Sequence, residues 1–102
     1  MPEKEQHKQL KKCACEVFRG SVEKTVNGRV DVKTPSFCLE VETTARKDRI
    51  QRAIEKLSSS KCKGGFIIVP PNALEKTQRL IKDKDNIIPI SSDRLEKICR
   101  NR

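Results

Sequence analysis

The chain has 102 residues, 34% of them hydrophobic, with Phe18, Phe37 and Phe66 as its aromatics, which is material for one domain (residues 1–102) with a modest aliphatic core. No run approaches the ~18 apolar residues of a membrane span, and the lysine-rich N-terminus is not followed by the apolar stretch of a signal peptide. An intracellular, cytoplasmic protein without a membrane partner is therefore expected, in the host cell if its gene is viral or plasmid-borne. Lys plus Arg number 23 against 14 Asp plus Glu, and the resulting +9 attracts polyanions, nucleic acid first.

Glu3 to about Arg19 carries Leu10, Ala14, Val17 and Phe18 at helical spacing, with Lys4, Lys8, Lys11 and Lys12 on the remaining surface and Gly20 as a C-cap. The single histidine, His7, reads as surface. Val22–Val26 and Arg29–Lys33 flank Asn27-Gly28, the signal of a type I′ hairpin in which Val26 faces Arg29 and Lys24 faces Asp31. Thr34-Pro35-Ser36 then turns the chain into a central strand, Ser36–Thr44. A two-residue loop there would set Asp31 across from Cys38 and diagonal to Glu40.

Ala45 to Leu57 predicts a basic amphipathic helix with Ile50, Ala53, Ile54 and Leu57 as its buried stripe. Phe66–Val69 is a short apolar strand of the kind covered on both faces. Asn72 with Glu75 predicts a capped helix to about Lys82. Ile87–Ile90 reads as an edge strand, because Pro89 cannot donate a ladder hydrogen bond. Asp93 with Glu96 opens a terminal helix whose apolar side is Leu95, Ile98 and Cys99. The fold class expected is α/β: a helix, a three-stranded antiparallel meander, then helix, strand, helix, strand, helix, in a mixed central sheet flanked by helices.

Cys13, Cys15, Cys38, Cys62 and Cys99 have no CxxC spacing, which argues against a zinc ribbon and a secreted disulfide framework. They read mostly as buried thiols, with a disulfide between distant cysteines left open, chiefly for a hyperthermophile.

Along the central strand, Phe37, Leu39, Val41 and Thr43 face one way, and Cys38, Glu40, Glu42 and Thr44 the other. The first set reads as a core face and the second as a site. Asp31, Glu40 and Glu42 then share one face, and carboxylates gathered beside an apolar strand need a positive partner. Hard oxygen donors select Mg²⁺ or Mn²⁺ over zinc. Such an ion would let an anionic phosphodiester approach and would lower the pKa of a coordinated water. The alternative is a solvated sheet face on which Asp31 pairs with Lys24, and Glu40 and Glu42 pair with lysines.

The order of elements, with Asp31 on the second strand, Glu40-Val-Glu42 on the third and a basic helix directly after, resembles the PD-(D/E)XK nuclease superfamily. Small Holliday-junction resolvases and the cores of restriction endonucleases belong to it. The resemblance covers nearly the whole chain as topology, although its motif is short. It implies a restriction-endonuclease-like core in which Asp31 and Glu40 bind Mg²⁺ or Mn²⁺ and Glu42 occupies the place of a lysine that positions the attacking water. A glutamate there can accept a proton but cannot supply the lysine's charge, and Lys33 or Lys47 would stand in. Glu16, on the first helix, matches an acidic residue that some resolvases carry.

In the basic helix, Arg46, Lys47, Arg49, Arg52 and Lys56 would contact phosphates flanking the cleavage site. The scarcity of aromatics argues against stacking on single strands. The function expected is a metal-dependent DNA endonuclease or resolvase on duplex or branched DNA, as a homodimer because each chain supplies one site for two strands. Alternatives are a non-catalytic nucleic-acid-binding domain of the same fold and a small interaction module with a merely basic surface.

Overall fold

The apolar run at residues 66–69 dictates a strand buried on both faces, and the rest of the sheet is arranged about it. The computed structural model describes residues 5–18, 21–22, 32–33, 37–59 and 64–101. Its elements are helix α1 (Glu5–Phe18), strands β1 (Ser21–Val22), β2 (Val32–Lys33) and β3 (Cys38–Val41), helix α2 (Lys47–Ser59), strand β4 (Gly65–Val69), helix α3 (Leu74–Leu80), strand β5 (Ile87–Ser91) and helix α4 (Ser92–Arg100). The strands lie in the order β1-β2-β3-β4-β5.

The antiparallel meander expected as the frame of this sheet is corrected by the pairing. The body of the sheet is three parallel strands, with Leu39 beside Phe66 beside Ile88 and Val41 beside Ile68 beside Ile90. Antiparallel pairing among the described residues is confined to two residue pairs between β1 and β2 and two between β2 and β3. The physical reason is burial: all four residues of β3 are buried, as parallel strands joined by helical crossovers require.

The registers also differ from expectation. The Asn27-Gly28 turn would set Val22 across from Lys33, but Val22 pairs with Val32. Cys38 pairs with Lys33 and not with Asp31, a displacement of two. The Asn27-Gly28 turn itself, Gly20 and Asp31 lie outside the described residues.

Helices cover both faces. Ile50, Ala53, Ile54 and Leu57 of α2 pack with Cys38, Ile67, Val69 and Ile87, and Ile81 joins them from beyond α3. Gly65 lets α2 approach, since a Cβ there would meet Leu57 Cδ2 at 3.0 Å and the Cys38 carbonyl at 3.3 Å. On the other face Leu10, Cys13 and Ala14 of α1 and Leu95 of α4 pack with Leu39, Val41 and Ile68. Phe37 and Phe66 meet edge to face there, with centroids 4.9 Å apart. Each fully buried Leu or Ile contributes about 1.5–3 kcal/mol.

Several local expectations are revised by this packing. Lys11 is buried, because α1 is enclosed by the sheet and α4 together, whereas Ile98 is exposed. Asn72 lies in a short 3₁₀ turn, Pro71–Ala73, and caps nothing with its side chain. The terminal helix begins one residue before Asp93, with Ser91 as N-cap.

The buried thiols expected of the cysteines are corrected as well. Cys13 and Cys99 form a disulfide that spans 86 residues of chain and ties α1 to α4. Cys38 is also disulfide-bonded, and Cys15 is free. A link closing so long a loop restricts the unfolded chain strongly. Changing Cys99 to Ser is expected to lower the unfolding free energy by about 3–5 kcal/mol in chemical denaturation, with the native far-UV circular dichroism unchanged.

Candidate functional site

In an open parallel sheet, ligands meet the chain at the carboxyl ends of the strands. The carboxyl end of β3 carries Glu40, Glu42 and the approach to α2. Glu40 is buried, on the same side of β3 as Cys38 and therefore beneath α2. Its Oε1 lies 3.6 Å from the Lys56 ammonium, which reaches in from the last turn of α2 with its side chain 27% exposed. Both sides of β3 are thus covered, Leu39's by α1 and α4 and Glu40's by α2.

Beyond the strand the Glu42 N–H still donates to the Ile68 carbonyl at 2.8 Å, so Glu42 keeps the strand's alternation and shares the side of Glu40. It is half-buried, and its carboxylate accepts from the Thr44 hydroxyl at 3.2 Å and more weakly from the Thr44 N–H at 3.4 Å. This local turn holds the carboxylate near the surface while Glu40 is drawn inward.

Helix α2 presents the cations in two groups. At about 100° per residue, Arg49, Arg52 and Lys56 fall within about 60° of one another on one flank of the buried stripe, and Lys47 falls on the other. Arg49 and Arg52 are exposed. Arg46, just before the helix, is exposed but bound in two places to Asp48, Nη2 to Oδ2 at 3.0 Å and Nε to Oδ1 at 3.2 Å. Partial loss of water pushes the Asp48 carboxyl up, but the Arg46 charge and the backbone N–H groups of Arg49 and Asp48 prevail and hold it below the usual carboxylate value. At neutral pH Asp48 therefore competes with any phosphate for Arg46. Lys76 of α3 closes the edge of this surface by donating to the Ala45 carbonyl at 2.8 Å.

The remaining residues singled out in the sequence are dispersed. Glu16 is exposed, nine residues and about 13 Å along α1 from His7, and is not brought to the glutamates. His7, expected at the surface, is half-buried, with Nε2 donating to the Val41 carbonyl at the end of β3 at 2.9 Å. Nothing in the sequence marks it, because its acceptor is a backbone atom 34 residues away. Lys33 is placed by its backbone alone, across from Cys38. Asp31 lies outside the described residues.

No family model, curated protein or solved structure matches this chain. Among the described residues no helix is long and apolar enough to cross a membrane, and no three His, Cys, Asp or Glu side chains are grouped to hold a metal ion.

The α2 surface yields two expected outcomes for DNA binding. Changing Arg46, Arg49 and Arg52 together to Ala should weaken binding to any DNA sequence and flatten the salt dependence by up to about three units of slope. Asp48→Asn, which frees Arg46, should tighten binding about 2- to 5-fold in a fluorescence-anisotropy titration at low salt. An unchanged slope in the first variant returns α2 to a solvated face.

Proposed function

We propose that the protein is a metal-dependent endonuclease that hydrolyses phosphodiester bonds in duplex or branched DNA, acting as a homodimer. The observation that carries this reading is the sharing of one side of the central strand's carboxyl end by Glu40 and Glu42, on the face that α2 covers with Arg49 and Arg52 left exposed. It extends the resemblance to the PD-(D/E)XK nucleases that the Asp31 and Glu40-Val-Glu42 pattern carries.

The donor chemistry suits Mg²⁺ or Mn²⁺, since both side chains offer hard carboxylate oxygens. Glu40 and Glu42 would hold the ion, with Asp31 as the third donor that the sequence pattern supplies. When bound, the ion polarises the phosphoryl group and activates water for attack. Glu42, nearer the surface and oriented by Thr44, is the group placed to accept a proton. Arg49 and Arg52 bind and orient the flanking backbone through its phosphates.

Glu40 is the residue this site can least lose, because its backbone is fixed between the buried Leu39 and Val41. Glu40→Gln keeps the shape and removes the charge, so Mg²⁺-dependent cleavage should fall at least ~100-fold while DNA affinity holds or rises. Glu42→Gln should cost less. Full cleavage by Glu40→Gln would remove the site from this strand.

One observation favours a second reading, a nucleic-acid-binding domain without catalysis. Glu40 is buried and paired with Lys56, as a purely structural carboxylate would be. That protein would bind DNA with the salt dependence given above and leave linear, supercoiled and four-way-junction DNA intact with Mg²⁺ or Mn²⁺.

A further inference from the structure

We infer that the Cys13–Cys99 disulfide is an exchange site for a small amino-acid thiol, attacked at Cys99 from the groove between α1 and α4. The site is independent of the nuclease reading. The groove encloses about 320 Å³ and is lined by Gln9, Leu10 and Cys13 of α1 and by Glu96, Cys99 and Arg100 of α4. Small-molecule sites begin at ~300 Å³, so the disulfide borders a space of ligand size. A disulfide sealed in the core is closed to exchange. This one is open on one side.

The two sulfurs are not equivalent. A thiolate attacks in line with the bond that breaks, so access to the rear of each sulfur decides which is struck. Cys13 is buried, in the cluster that includes Leu39, Val41 and Ile68, whereas Cys99 is half-buried and one residue from the end of α4. Attack at Cys99 joins its Sγ to the incoming sulfur, breaks the bond to Cys13 and leaves the electron pair on the Cys13 sulfur. That sulfur takes a proton from solvent, and the Leu95 carbonyl, 3.4 Å from Cys13 Sγ, is in place to accept from the new S–H. A second thiol then displaces Cys99, so that two small thiols are oxidised to their disulfide and the Cys13–Cys99 pair is reduced.

The groove wall supplies recognition. The charged atoms of Glu96 and Arg100, one turn apart on α4, are 3.9 Å apart, in contact but beyond hydrogen-bond distance, and the Arg100 side chain is 77% exposed. An amino-acid thiol carries an ammonium and a carboxylate on one carbon, which meet Glu96 and Arg100 respectively, the guanidinium fork matching the carboxylate. Opening an exposed pair of this kind costs little. Cys15, the free thiol of α1, is no internal competitor: it lies about 200° round the helix from Cys13. Burial, reinforced by Glu16 against the opposing Lys11 charge, also raises its pKa and keeps it protonated.

The test has two arms, with a thermal denaturation scan on each protein. In the parent, reduced glutathione and 2-mercaptoethanol are compared at equal thiolate concentration, with Cys13 and Cys99 followed by alkylation and peptide mapping. The more basic 2-mercaptoethanol thiolate is intrinsically the stronger nucleophile, so bare access favours it. Glutathione is expected to reduce the pair at least ~5-fold faster, and Arg100→Ala to bring the two thiols within about twofold. In the second arm, oxidised glutathione should place one glutathione on Cys99 of Cys13→Ser, releasing reduced glutathione, and should modify the enclosed Cys13 of Cys99→Ser at least ~10-fold more slowly.

Reduction only at the rate of global unfolding, the same for either thiol, would overturn the site, as would 2-mercaptoethanol outpacing glutathione or a glutathione preference untouched by Arg100→Ala. Modification of Cys13→Ser at Cys15 and not at Cys99, or equal rates at Cys99 and Cys13, would do the same. Should a serine variant not fold, the rate comparison in the parent and Arg100→Ala decides alone.

Discussion

The constraint on which the molecule turns is the burial of β3 on both faces. Cys38, Leu39, Glu40 and Val41 are all within 3% of complete burial, yet one of them is a carboxylate. An unpaired charge in such a place costs several kcal/mol, so the strand can lie there only with a cation brought against it. Lys56 brings one such cation to 3.6 Å from Glu40 Oε1 from the last turn of α2. The exposed arginines follow from this packing. With Ile50, Ala53, Ile54 and Leu57 against the sheet and Lys56 reaching Glu40, Arg49 and Arg52 are left exposed on α2.

The other layer gives this arrangement a rigid backing. Helices α1 and α4 are far apart in sequence but are joined by the Cys13–Cys99 disulfide, with a Cα–Cα distance of 6.1 Å. Leu10, Ala14 and Leu95 fill the space between them and the sheet. His7 adds a polar clasp from α1 to the Val41 carbonyl, one residue before Glu42. The strand end is thus held by a helix on each side, through Lys56 from α2 and His7 from α1.

What was legible in the sequence follows from how local each signal is. The buried stripe of α2 depends on periodicity and is legible to the residue, whereas the apolar run at 66–69 marks β4 but not its first residue, Gly65, nor the partial exposure of Phe66. The register of β1 and β2 is not legible, because Asn27-Gly28 specifies a turn locally while the ladder is set by its partners across the sheet. The parallel body of the sheet was under-weighted for a related reason: nothing in Ser36–Thr44 alone says that both faces will be covered. Lys56 reads as a phosphate contact because its helical position predicts exposure, and only the packing of α2 on β3 brings it to Glu40. His7 and the Cys13–Cys99 link escaped because each joins segments distant along the chain.

The proposed nuclease requires a hard divalent cation on the Glu40–Glu42 side of β3. The most direct measurement is the anomalous difference density of crystals soaked in Mn²⁺. A peak about 2 Å from a Glu40 carboxylate oxygen, with Lys56 displaced from its 3.6 Å contact, is the predicted result. Crystals in which Glu40 stays on Lys56 and no peak lies within ligand distance of either glutamate would contradict it.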